Sequence, residues 1–239
     1  MSVILRTNHL TKHYGHHTAV HDLSMTIHQG DIYGFIGKNG AGKTTLIRMI
    51  AGLAAPDDGQ ILLFGKPDLL KGRKRIGTVI ESPALYPGMT ARENMIAQCK
   101  LQNADLSQID PILKLVGLHD TGKKKAKQFS LGMKQRLAIG LALIGNPEFL
   151  LLDEPTNGLD PEGIREIREL ILKLNKDRKI TVLISSHILG ELSKLATRYG
   201  IIHEGRLLEE FTENELWERC GKDKDMDLEE YFLQTIGGR

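Results

Sequence analysis

The chain of 239 residues is 41% hydrophobic and 26% charged, which are ordinary proportions for a globular protein and argue against disordered and fibrous classes. Its formal net charge is only +2, so the composition gives no electrostatic footprint for wrapping nucleic acid. The two cysteines make a disulfide framework implausible and suit a reducing cytosol, and neither a signal peptide nor a membrane-spanning segment is expected.

The first part of the chain predicts strands that lead into and follow a glycine-rich loop. The expected strands are apolar-rich runs bounded by turn residues. They lie at residues 3–10, 19–27, 31–36, 59–64 and 75–80. A turn-like Tyr-Gly-His-His run at 14–17 separates the first two strands. Residues 43–53 predict a helix, because their apolar side chains recur on one face.

The second part of the chain changes from a helical pattern back to strands. Residues 90–145 are helical in pattern, behind prolines and a glycine that mark the entrance to the segment. Continuous apolar runs at 149–152 and 181–184 are typical of parallel strands buried on both faces. Helices are expected at 161–174 and 188–195. The sequence therefore predicts an α/β core interrupted by a helical insertion.

Residues 37–44, Gly-Lys-Asn-Gly-Ala-Gly-Lys-Thr, fit the full pattern of a phosphate-binding loop between a strand and a helix. The glycines allow backbone N–H groups to turn towards a β-phosphate, and the following helix adds its positive N-terminal end. Lys43 places a charge between the β- and γ-phosphates, and the Thr44 hydroxyl can ligate Mg²⁺. The loop predicts a site for Mg-ATP.

A second set of polar residues follows the predicted buried strand at 149–152. Asp153 is expected to hold the metal through water, and the adjacent Glu154 to polarise the attacking water. His187 follows the strand at 181–184, where an imidazole can reach a γ-phosphate. Tyr14 lies in the β-rich start of the chain, where an aromatic ring could stack on adenine.

A second anion-binding site is predicted where Phe-Ser-Leu-Gly-Met-Lys-Gln-Arg opens a helix at 129–136. Ser130 and Gly132 leave a hydroxyl and backbone N–H groups at the N-terminus of that helix. The chain has one phosphate-binding loop, so a second γ-phosphate site suggests that two chains share two nucleotides. Taken alone, the segment is more often a plain helix cap, with Ser130 capping an amphipathic helix.

Together these motifs resemble the ATP-binding subunit of ABC transporters over nearly the whole chain. In that family's terms, residues 37–44 look like Walker A, 150–154 like Walker B, 130–133 like the signature motif and 159–160 like the D-loop. His187 then looks like the switch histidine and Tyr14 like the adenine-stacking residue. The resemblance implies a head-to-tail dimer in which each nucleotide lies between the P-loop of one chain and the Ser130 segment of the other.

Two positions depart from the usual pattern of this family. The first glycine of the signature motif is Leu131, and the coupling glutamine is Glu81. Glutamate at this place, the Ser-Leu-Gly-Met-Lys-Gln-Arg string and the Leu-Glu-Glu-Tyr-Phe run at 228–232 resemble the ATPases of bacitracin-resistance and lantibiotic-immunity exporters.

The resemblance implies one ABC ATPase domain over 1–239, an α/β P-loop core with an antiparallel β subdomain. The nucleotide-binding core would comprise 1–81 and 146–239, and the inserted helical subdomain 82–145. Catalytic roles are predicted for Lys43, Glu154 and His187. Nucleotide contacts are predicted for Tyr14, Gly37, Asn39, Gly40, Gly42, Lys43, Thr44, Thr45, Ser130, Gly132 and Asp160. Metal ligation is predicted for Thr44, Glu81 and Asp153.

The expected function is ATP hydrolysis for the export of a peptide antibiotic. The expected partners are separate polytopic membrane subunits, contacted through Glu81 and the helical insertion, and a second ATPase subunit. Nucleic acid is not expected as a partner, and the chain is placed in the cytoplasm at the inner face of the membrane. A soluble ABC protein acting on nucleic acid or the ribosome, and the ATPase of a short importer, remain as alternatives.

Overall fold

The computed structural model describes residues 2–81, 83–220 and 228–237, and its strands form two sheets. The first sheet contains β1 (Val3–Tyr14), β2 (His17–His28) and β4 (Asp58–Leu63), all antiparallel in the order β2-β1-β4. Tyr14 pairs with His17, so the β1–β2 hairpin closes over the predicted turn. The first strand therefore runs four residues beyond its predicted end.

The strands of the second sheet are β3 (Ile32–Ile36), β5 (Ile76–Val79), β6 (Phe149–Asp153), β7 (Thr181–Ser186), β8 (Arg198–His203) and β9 (Arg206–Thr212). They lie in the order β5-β6-β7-β3-β8-β9, and all neighbours are parallel except the β8–β9 hairpin. Every residue of β6 and β7 is buried, which agrees with their continuous apolar sequences.

The helices are α1 (Lys43–Ala51), α2 (Leu69–Arg73), α3 (Ala91–Gln102), α4 (Ile109–Leu115), α5 (Leu131–Ala142), α6 (Pro161–Arg178), α7 (Leu189–Leu192), α8 (Glu213–Cys220) and α9 (Leu228–Gly237). The predicted helix at 43–53 ends at Ala51 because Gly52 adopts the left-handed conformation and caps it. A capping box between Thr90 and Glu93 starts α3. Within the described residues, no helix is long and apolar enough to cross a membrane.

The predicted helical stretch is split into α3, α4 and α5, which short 3₁₀ turns join. These helices lie between β5 and β6 in the chain. Buried side chains such as Met95, Ile112 and Leu137 join them to the core that also holds the inner face of β6. Strands β8 and β9 and helix α2 were not predicted from the sequence. Adjacent leucines followed by adjacent glutamates in β9 conceal its alternation, since Glu210 lies partly buried against the Tyr33 hydroxyl.

Candidate nucleotide-binding site

The loop between β3 and α1 has the backbone shape that its glycines predict. Gly40 and Gly42 have φ values of 81° and 106°, which side-chain-bearing residues rarely adopt. A Cβ atom on Gly42 would lie 2.4 Å from the Ala19 carbonyl oxygen, so only glycine fits there. No side chain caps the N-terminus of α1, and its N–H groups are therefore available to an anion.

The Lys43 side chain is only 5% exposed and folds back over the loop. Its ammonium donates to the carbonyl oxygens of Gly37 at 2.6 Å and Lys38 at 3.2 Å. It also lies 3.2 Å from Oε1 of Glu154. The lysine and the glutamate expected to act on the same phosphate therefore meet in one place.

Asp153 is 2% exposed, and hydroxyl groups hold both of its carboxylate oxygens. The Thr44 hydroxyl donates to Oδ2 at 2.7 Å, and the Ser185 hydroxyl donates to Oδ1 at 2.6 Å. No role was predicted for Ser185, although the parallel register of β6 and β7 places it opposite Asp153. A carboxylate next to a hydroxyl is the hard oxygen donor set that suits Mg²⁺.

Glu154 is held in an unusual backbone conformation directly after β6. Its φ is 50°, and its N–H donates to the Ser185 hydroxyl at 2.9 Å and to the Ser185 carbonyl at 3.2 Å. The His187 ring nitrogen Nδ1 lies 2.6 Å from Oε2 of Glu154. The carboxylate is thus fixed between Lys43 and His187, where it can orient a water molecule and accept its proton.

A cleft of about 300 Å³ runs over the loop. Its lining residues are Tyr14, His17, Ala19, Asn39, Gly40, Gly42, Lys43, Thr44, Thr45 and Glu154. His17 and Ala19 were missed by the sequence analysis, although the strand pairing of His17 with Tyr14 follows from the two-residue turn. Tyr14 is 47% exposed, so its ring is accessible to a ligand.

Ser130 and Asp160 are exposed and Gly132 and Leu159 are partly exposed, and among the described residues none of these four lines the cleft. Ser130 caps α5, where its hydroxyl accepts a hydrogen bond from the Met133 N–H at 3.2 Å. Asp160 caps α6 and accepts from the Gly163 N–H at 3.1 Å. The structure therefore does not bring Ser130, Gly132 and Asp160 to the P-loop of their own chain.

Glu81 lies two residues after β5, at the same sheet edge as Glu154, since Val79 is in register with Leu152. Its carboxylate pairs with Arg48, and its side chain is 58% exposed. Arg48 is one helical turn after Thr44 on α1, so both face the same side of that helix. Glu81, which was predicted to ligate the metal, therefore lies at the same end of the sheet as Glu154 but is paired with Arg48.

One end of the mostly parallel sheet, where its strands finish, holds the phosphate-binding loop, the buried Asp153 and the fixed Glu154. This arrangement defines a P-loop ATPase. The model of the ABC transporter family matches residues 20–157, more than half of the chain, and the chain belongs to this family. It is thus an ATP-binding cassette and an ATPase, as expected from the motifs.

Several relatives and solved structures resemble the chain over most of their length. It is 50% identical to the bacitracin transport ATP-binding protein BcrA of Bacillus licheniformis, over 95% of this chain and 76% of the relative. It is 43% identical to the lantibiotic transport ATP-binding protein SrtF of Streptococcus pyogenes, over 86% and 89%.

Two solved cassettes share the fold. The ATP-binding subunit of an ABC transporter superposes with a TM-score of 0.84 at 26% identity, covering 98% of this chain and 99% of its own. A dimeric cassette in a post-hydrolysis state with ADP and Pi gives 0.75 at 26% identity, covering 88% and 99%. A cassette related to this chain is therefore known as a dimer.

Proposed function

We propose that this ATPase powers the export of a peptide antibiotic of the bacitracin or lantibiotic type. The observation that carries the proposal is the 50% identity, over 95% of the chain, to a bacitracin transport ATP-binding protein. The lantibiotic transport relative supports the same class of cargo. Glu81, the Ser-Leu-Gly-Met-Lys-Gln-Arg string and the Leu-Glu-Glu-Tyr-Phe run at 228–232 resemble the same subgroup.

In the proposed reaction, the loop at 37–44 binds the phosphates of ATP and Tyr14 stacks on adenine. Thr44 and Asp153 would hold Mg²⁺, which when bound neutralises phosphate charge. Glu154 orients the attacking water and takes its proton, since its carboxylate already lies 3.2 Å from the Lys43 ammonium. His187 keeps Glu154 in place through the 2.6 Å contact and reaches towards the γ-phosphate.

The second half of each site is proposed to come from another cassette. Ser130 and Gly132 lie at the N-terminus of a twelve-residue helix, which offers N–H groups and a hydroxyl to a γ-phosphate. Ser130 is exposed, Gly132 is partly exposed and neither lines the cleft of its own chain, which supports their supply by a second chain. Asp160, exposed at the start of α6, would contact the nucleotide across the same dimer interface.

Separate membrane subunits are proposed to dock beside Glu81, with the cassette on the cytoplasmic face of the membrane. A groove of about 320 Å³ lies between β5, α3 and α5 and is lined by residues such as Leu53, Ile80, Ala84 and Gln98. Leu53 is 69% exposed there, so an apolar side chain is available to a partner. The predicted core and the helical subdomain at 82–145 would both contact the membrane subunit.

The test is antibiotic protection in a sensitive host that carries the membrane subunits. Wild-type chain is expected to raise the inhibitory concentration of bacitracin or a lantibiotic, and Lys43→Ala to abolish that protection by removing the phosphate-binding charge. Accumulation of labelled antibiotic should fall only with the wild type. Equal protection by both chains, or a rise in accumulation that would indicate import, contradicts the proposal.

A further inference from the structure

Asp57, in the turn before β4, binds consecutive residues at the end of β1. Its Oδ2 accepts from the His13 N–H at 2.6 Å, and its Oδ1 accepts from the Lys12 ammonium at 2.9 Å. Its own N–H donates to the Thr11 carbonyl at 2.9 Å. One aspartate thus fixes the backbone of the residues that directly precede Tyr14.

The same contact places a cation beside the Tyr14 ring. The Lys12 ammonium lies over the ring, 5.5 Å from its centroid, within the range of a cation–π interaction. Lys12 is largely buried, with a side chain 14% exposed, because Asp57 holds its end. Tyr14 is 47% exposed and lines the nucleotide cleft. One part of the ring is therefore covered by Lys12 while another part stays open to a ligand.

The Asp57 carboxylate is charged under ordinary conditions. The hydrogen bond from the His13 N–H, and next the one from Lys12, hold the pKa of the Asp57 carboxyl below its ordinary value. Hydrogen bonds to an ionised acceptor are shorter and stronger than those between neutral groups. An exposed ion pair alone contributes little, but here the carboxylate also receives a backbone N–H.

We propose that Asp57 is a positioning residue for the nucleotide base: with Lys12, it holds Tyr14 at the angle needed to stack on adenine. The inference rests on the proposed stacking role of Tyr14. It extends the binding site to the turn before β4, which lies 43 residues from Tyr14 in the sequence and does not line the cleft itself. A positioning role means that Asp57 affects the base and leaves the phosphates alone.

Calorimetric titration with ATP and with inorganic tripolyphosphate separates these two parts of the ligand. Tyr14→Ala should weaken ATP binding about tenfold, as expected for loss of one base–aromatic stack. Asp57→Ala should weaken ATP binding about fivefold and leave tripolyphosphate binding within about twofold. Asp57→Asn keeps an acceptor for the His13 N–H and should fall between Asp57→Ala and wild type. Retained tripolyphosphate binding also reports that each variant is folded.

The matched control is Asp110→Asn, which removes another exposed carboxylate paired with a basic side chain, Arg92, in the inserted helices. It should change neither titration. The decisive variant combines Tyr14→Ala with Asp57→Ala. If Asp57 acts through Tyr14, the double variant binds ATP no more weakly than Tyr14→Ala alone.

Three results would overturn the inference. An equal loss of ATP and tripolyphosphate binding in Asp57→Ala, or a full additional loss in the double variant, would assign Asp57 a general structural role, and the third result is an Asp57→Ala variant that binds ATP like the wild type. Failure of the proposed stacking role of Tyr14 looks different, because ATP binding would then be unchanged in Tyr14→Ala itself. A neutral Asp57→Ala beside a weakened Tyr14→Ala contradicts the positioning role only.

Discussion

Replacing Glu154 by glutamine tests the reaction at the carboxylate that lies between Lys43 and His187. The amide keeps the size of the side chain but cannot accept the proton of a water molecule. The backbone restraints from Ser185 act on the Glu154 N–H and are unchanged. Lys43 retains its two carbonyl acceptors, so the phosphate loop should keep its shape.

The expected loss of turnover follows from the role of a positioned base. General-base catalysis typically contributes about 10² to 10⁴ in rate, which corresponds to roughly 2.7–5.5 kcal/mol in the activation free energy. ATP affinity should stay within about fivefold, because a cost of about 1 kcal/mol is the most that one altered, partly exposed pair with Lys43 is expected to cause. The kcat should therefore fall strongly while the dissociation constant for ATP changes little.

Phosphate release at saturating Mg-ATP measures turnover, calorimetry measures binding, and gel filtration with ATP measures dimer formation. Glu154→Gln should bind ATP, accumulate as an ATP-bound dimer and release phosphate at least 100-fold more slowly, at the low end of the range for a general base. Glu148→Gln, at the opposite end of the same strand, is the control and should hydrolyse ATP normally. Turnover near the wild-type rate in Glu154→Gln would refute the assignment.

Two further predictions address the shared site and a buried carboxyl group. Ser130→Arg should abolish hydrolysis by a homodimer, and mixing it with Lys43→Ala should restore about half of the activity per dimer if one intact site suffices; no recovery contradicts the composite site in that form. Burial, the largest effect, raises the pKa of Glu210, so its contribution to stability is lost as pH rises from the unfolded value through the folded one. Glu210→Gln should therefore raise the melting temperature at pH 7 but not at pH 4, and an equal shift at both values would refute this linkage.

Local sequence was sufficient for the phosphate loop because its spacing determines its backbone. The glycines at 40 and 42 occupy the positive-φ positions that the pattern requires. The buried strands could also be predicted from the sequence, since continuous apolar runs such as 149–152 and 181–184 are typical of strands buried on both faces. In both cases, the information lies within a few neighbouring residues.

Contacts between residues that are far apart in the chain could not be predicted from local sequence patterns. The hydroxyl of Ser185 meets Asp153 only through the register of two parallel strands, 32 residues apart. Asp57 meets His13 because β4 pairs with β1, and neither residue belongs to a known motif. Strand β9 was hidden because Glu210 accepts a hydrogen bond from Tyr33 and is tolerated in a partly buried position.

The pair between Glu81 and Arg48 gives the final prediction, which concerns coupling to the membrane subunits. Glu81 has a φ of 60° and directly follows Ile80, which lines the groove proposed for those subunits. A glutamine there can still bind Arg48, whereas alanine removes the contact between α1 and the segment that follows β5. We therefore expect Glu81→Gln to alter the ATPase rate modestly, by about twofold, and Glu81→Ala to lose more antibiotic protection than its ATPase rate explains.

Hydrolysis by the isolated chain and protection in cells that carry the membrane subunits have to be measured for the same variants. Arg48→Met supplies the matched test, because it removes the cation while leaving Glu81 in place. If the pair links the nucleotide end of α1 to the membrane partner, Arg48→Met should reproduce the loss of protection seen in Glu81→Ala. Loss of a residue that couples hydrolysis to the membrane subunits should reduce antibiotic protection more than it reduces the ATPase rate. If protection instead falls in proportion to the ATPase rate in all three variants, Glu81 acts within the hydrolytic site alone.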